Sequence, residues 1–148
     1  MANHTEYGTV AIGAPGSTMR RITEAPEPKY LCTHGAENWP PTSYDVQTNT
    51  PWGPAQTASY FAKGLIQYST AGHGGFHVSN GLLKRIPEYL QTADAYASGR
   101  AGWFEEDCAS AIVIVCLPEF FPMAWRYNAM DTMRSTYPEQ WERFCREA

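Results

Sequence analysis

Leu65-Ile66-Gln67-Tyr68-Ser69-Thr70-Ala71-Gly72-His73-Gly74-Gly75-Phe76-His77-Val78-Ser79 is the stretch that decides the fold. Its first six residues alternate, with Leu65, Gln67 and Ser69 opposite Ile66, Tyr68 and Thr70, which is the period of a strand. Ala71-Gly72 suits a turn. The residues after it alternate again, His73, Gly75, His77 and Ser79 against Gly74, Phe76 and Val78, so the stretch reads as a hairpin. Gly72, Gly74 and Gly75 crowd into one short run. Glycines this dense imply either a positive φ or the close approach of another group to the backbone.

On the C-terminal side, Ser79 is placed to cap a helix carrying Leu82, Leu83 and Ile86, and Pro87 starts a further turn with Tyr89 and Leu90. Residues 92–102 are small and polar and read as a loop. Glu105-Glu106-Asp107 precede a run from Cys108 to Leu117 that is rich in β-branched residues. The run alone fits a buried strand. Acids at its front fit a helix start, where the dipole favours them. The length of the stretch favours a buried helix ending before Pro118. The last third is helical: Met123, Tyr127 and Met130 form one stripe, and Trp125, Ala129 and Met133 another. Pro138 opens a final helix with Trp141, Phe144 and Cys145 at core spacing.

On the N-terminal side, Gly53-Pro54 reads as a helix start, with Ala55, Ala58, Phe61 and Ala62 on one side and Gly64 as the residue that ends it. Residues 1–49 differ in character: they hold five prolines and few apolar runs. They read as extended segments packed on or trailing from the core, with short strands at Val10–Ile12 and Tyr30–Cys32. The expectation is one α+β domain, with a core over residues 50–148 in which a small antiparallel hairpin or sheet packs against several helices.

Composition narrows the function classes. The chain has 148 residues, 43% hydrophobic and 18% charged, which suits one globular domain with a real core. Its net charge of −4 argues against binding to nucleic-acid phosphates, which needs clustered Lys and Arg. No secretory signal and no membrane-length apolar run is read, so a cytoplasmic location is expected. The four cysteines form no C-x-x-C pair and read as reduced thiols. Gly13-Ala14-Pro15-Gly16-Ser17-Thr18 lacks the lysine and the glycine spacing of a phosphate loop. With five Trp and nine Tyr, rings can fill the core or mark a binding surface.

Five residues are candidates for chemistry: His73, His77, Glu105, Glu106 and Cys108. His73, His77 and Glu105 are the candidate metal ligands, imidazole being the commonest transition-metal donor. Residues four apart in a strand share a face but lie about 13 Å apart, so two such histidines cannot grip one ion unless the loop is irregular. The favoured reading is a glycine-rich hairpin whose histidines hydrogen-bond to their surroundings. Glu105, Glu106 and Asp107 read as an acid-rich first helical turn, diverging by about 100° per residue. Cys108 could serve as a nucleophile beside His73 or His77, but its place next to an apolar run favours a buried thiol acting as a small hydrophobe. No catalytic set, cofactor or metal is therefore expected.

Three ordered segments resemble a domain of unknown function found in proteins of phages, plasmids and other mobile elements. They are Thr50-Pro51-Trp52-Gly53-Pro54-Ala55-Gln56, the run from Tyr68 to Ser79, and Gly102-Trp103-Phe104-Glu105-Glu106-Asp107-Cys108-Ala109-Ser110-Ala111-Ile112-Val113. Tyr137-Pro138-Glu139-Gln140-Trp141 is a fourth. The resemblance carries no assigned reaction; it implies a small accessory protein of a mobile element. The expected function is non-enzymatic: binding and inhibiting a host defence component such as a CRISPR effector, by covering a basic partner surface. The alternative is a metal-dependent or Cys-His enzyme using His73 or His77 with Glu105, Glu106 and Cys108. A structural or regulatory phage accessory is a third reading.

Overall fold

A computed structural model describes residues 41–93 and 101–148. Among the described residues six strands form an antiparallel sheet: β1 (Thr42–Asp45), β2 (Asn49–Thr50), β3 (Gly53–Ala62), β4 (Leu65–Thr70), β5 (Gly74–Val78) and β6 (Trp103–Glu105). Their order is β1-β3-β4-β5-β6, with β2 pairing to β3. Helices α1 (Asn80–Leu83) and α2 (Glu88–Gln91) lie in the excursion between β5 and β6. After the sheet come α3 (Ser110–Cys116), a 3-10 turn at Pro118–Phe120, α4 (Met123–Thr136) and α5 (Pro138–Glu147). The protein is a single small α+β domain, as its patterning implies. The strands expected at Val10–Ile12 and Tyr30–Cys32 lie outside the described residues.

The β4–β5 hairpin forms where the alternation places it. Ile66 pairs with His77, Gln67 with Phe76 and Tyr68 with Gly75. The turn is closed by one side chain: the Thr70 hydroxyl donates to the His73 carbonyl (2.8 Å) and accepts from the His73 N–H (3.1 Å). A backbone bond from the Thr70 N–H to the same carbonyl (2.7 Å) completes it.

Residues 53–62 are a strand, not the helix that the spacing suggests. The reason lies in two bulges. The pairing of β3 with β4 slips between Ala55 and Thr57 and again between Tyr60 and Ala62. Each extra residue shifts the side-chain alternation. Ala55, Ala58, Phe61 and Ala62 are all buried, which imitates a helical stripe. Ala55 and Ala58, however, pair with Thr70 and Tyr68 on one face, whereas Ala62 pairs with Leu65 on the other. Gly64 ends no helix. It has φ +86° in the two-residue turn that joins β3 to β4, a conformation in which a side chain would be strained.

Two layers result. Phe61, Leu65, Phe76, Val78 and Phe104 turn inward and join the core with α3. Phe76 and Phe104 face each other across β5 and β6. Phe61, Phe76 and Phe121 contact one another at ring separations of 5.2–5.5 Å, which ties the sheet to the chain entering α4. Ala111 to Cys116 are all buried, so α3 is apolar all round and lies inside the domain. It stops at Leu117, before Pro118, as expected. The acid run does not start it: α3 has no acidic residue in its first turn. Glu105 ends β6 instead, because Gly75 pairs with it and the Glu106 N–H donates to the Gly74 carbonyl (3.0 Å). Sheet pairing captured a segment that local preference assigned to a helix. On α4, Tyr127, Ala129, Met130 and Met133 are buried, and Pro138 opens α5 with Trp141 buried.

Candidate functional site

The face of the sheet turned away from α3 is aromatic. By register, Tyr68, Gly75, His77, Trp103 and Glu105 share it. Trp103 is the hub: its ring lies 4.4 Å from His77, 5.7 Å from Tyr68 and 5.7 Å from Trp52, centroid to centroid. Trp52 comes from the turn between β2 and β3, where the Thr50 hydroxyl accepts from its N–H (3.2 Å). Tyr44 and Tyr60 extend the face and are 42% and 39% exposed.

The paired glycines explain how these rings fit. Neither Gly74 nor Gly75 has a positive φ, so close approach is their reason. A Cβ at Gly75 would collide with the Phe104 carbonyl and lie 2.5 Å from Cη2 of Trp52. A Cβ at Gly74 would lie 2.9 Å from Oε2 of Glu106 and 2.7 Å from the Tyr68 carbonyl. One glycine therefore admits an indole and the next admits a carboxylate.

Beside this face, His73, Glu105 and Glu106 converge. One ligating atom from each lies within 4.8 Å of the others, with Glu105 half-buried and the other two exposed. Burial pushes the Glu105 carboxyl up from its ordinary range, opposed by the Asp107 N–H that donates to Oε2 (2.9 Å). Glu106 also lines a cleft of about 280 Å³ between Gln67 and Phe76 on the sheet and Asn128 and Thr132 on α4.

The five sequence candidates separate. His73, Glu105 and Glu106 come together. His77 is not in that group; it lies half-buried against Trp103, and burial pulls its imidazole below the ordinary histidine range. His77 lies within β5, four residues along the chain from His73 in the turn, and its ring packs against Trp103 instead. Cys108 is not in the group either. It packs against the core, and its sulfur accepts from the Thr136 hydroxyl at 4.0 Å. Among the described residues Cys116 is the buried cysteine, and burial raises its thiol far above the ordinary value. Trp52, Tyr68 and Trp103 carry no reactive group and so are absent from the sequence candidates; the one local signal is the strand alternation at Tyr68.

Among the described residues no helix is long and apolar enough to cross a membrane. A family model described as a domain of unknown function, DUF7007, matches residues 45–148. The match covers most of the chain, and the chain belongs to that family. Comparison with curated proteins and with solved structures gives no match.

Proposed function

We propose that this member of a family of unknown function is a non-enzymatic binding protein of a phage or related mobile element, and that its partner is a host defence protein such as a CRISPR effector. The observation that carries the binding reading is the aromatic sheet face. Trp52, Tyr68 and His77 each contact Trp103 on the side away from α3, with two tyrosines about 40% exposed beside them. Trp and Tyr are the residue types that dominate binding energy at protein interfaces, because each buries a large rigid area and keeps a polar handle. The net charge of −4 favours a basic partner surface. The mobile-element context comes from the motif resemblance around Trp52, His73 and Glu105. Occupying the partner's surface is then sufficient for inhibition, and no bond is made or broken.

The test mixes the full chain with purified defence effectors and measures complex formation and residual effector activity. A stoichiometric complex with loss of effector activity is expected, and Trp103→Ala should weaken it on the order of 30-fold or more, the cost of removing an interface anchor. Absence of a complex with any effector sinks the proposed partner class. A complex that Trp103→Ala leaves intact sinks the proposed surface.

A further inference from the structure

We infer that His73, Glu105 and Glu106 form a binding site for one divalent transition-metal ion at the end of the β5–β6 pairing. The three donors come from two segments that the fold holds in register. The Thr70 hydroxyl pins His73 in its turn, Glu105 pairs with Gly75, and the Glu106 N–H is bonded to the Gly74 carbonyl. Donor atoms on one ion with bonds of about 2.1 Å are about 3.0–3.4 Å apart. The observed atoms all lie within 4.8 Å of one another, so an ion would draw them together to that spacing.

Electrostatics and space support the same assignment. Glu105 and Glu106 bring two carboxylates together, and Glu105 is half-buried. Among the described residues, the ion pairs join Arg85 to Glu119, Arg143 to Glu147 and Arg146 to Glu142; none brings a Lys or Arg to this pair. A bound cation supplies the missing positive charge. Gly74 leaves room for the Glu106 carboxylate: any side chain there would crowd its Oε2. One imidazole with two carboxylates suits Zn²⁺, Co²⁺, Fe²⁺ or Mn²⁺, and it is a poor set for Ca²⁺, which takes six to eight oxygens. Three protein donors leave coordination positions open to water or to a donor from another molecule.

The full chain, stripped with a chelator, is titrated with Zn²⁺ by calorimetry and with Co²⁺ by visible absorption. One ion per chain is expected, with a Co²⁺ spectrum that has ligand-field bands and no thiolate charge-transfer band. His73→Ala and the near-isosteric Glu106→Gln should each weaken binding on the order of 100-fold. His77→Ala and Asp107→Asn should leave it within a few-fold of the parent. Far-ultraviolet circular dichroism checks that each variant is folded. Absence of saturable one-to-one binding overturns the inference, as does a weakening below ten-fold in both ligand variants. A loss in His77→Ala equal to that in His73→Ala overturns this ligand set.

Discussion

Along β5 and β6, neighbouring residues meet opposite surroundings. Phe76 and Phe104 are 1% and 0% exposed and pack toward α3, whereas His77, Trp103 and Glu105 lie half-buried on the other face. On these two strands the inner face presents Phe76, Val78 and Phe104, which carry no hydrogen-bonding side-chain atoms. The outer face presents the imidazole of His77, the indole of Trp103 and the carboxylate of Glu105. Hydrophobic burial explains the first set. It does not explain the second, whose polar handles are costly in a core and useful against a partner that offers hydrogen bonds or a cation. The difference teaches that one face of the sheet builds the core of the domain, while the other holds the side chains on which the proposed binding reading rests.

Exchanging the load between faces is the strongest way to break this contrast. Phe104→Ala should destabilise the protein by about 3–5 kcal/mol, the usual cost of removing a buried phenyl ring. Trp103→Ala, one residue away, removes a larger side chain but should cost only about 1–2 kcal/mol, from lost ring contacts. Urea unfolding of both variants measures the gap; equal costs would mean that both faces are core. A smaller effect sharpens the role of the paired glycines. Gly75→Ala sets a methyl group against Trp52 and the Phe104 carbonyl and should cost about 1–3 kcal/mol, with loss of the near-ultraviolet signal of the Trp52–Trp103 pair. An unchanged signal would remove close approach as the reason for glycine.

The smallest expected effect concerns pH. Burial lowers the His77 pKa, so the folded state binds this proton less readily than the unfolded chain. Stability from this group is therefore full above the ordinary histidine value and falls as pH drops from there through the folded pKa. His77→Gln should flatten the decline in melting temperature between pH 7 and pH 5, and an NMR titration should place the His77 midpoint below 6.5. A midpoint at or above that value would contradict a half-buried ring on this face.

Much of the core could be read locally. Phe76 and Val78 point inward as the alternation implies, α3 ends before Pro118, and Pro138 opens α5. Each of these rests on a periodicity or a breaker residue acting within a few positions. β3 was illegible for the same reason: two bulges placed its buried residues at helix-like spacing. The acid run was illegible because local preference fits it to a helix start, whereas pairing with Gly75 makes Glu105 the end of a strand.

The candidate site divides along the same line. His73, Glu105 and Glu106 stood out by residue type, but some thirty positions of chain separate the histidine from the carboxylates. Trp52 gave no sign that it would rest on Gly75.

By itself, the order of residues determined the α+β class, the β4–β5 hairpin, the buried helix before Pro118 and the chemical types available. Only the tertiary structure decided which face Trp103 and Glu105 occupy, that Trp52 covers Gly75, and that His73 meets Glu105 and Glu106. The physical reason is range. Side-chain alternation, capping and proline geometry act between near neighbours in the chain, whereas strand register and close approach across the β5–β6 pairing join residues whose separation in sequence carries no signal.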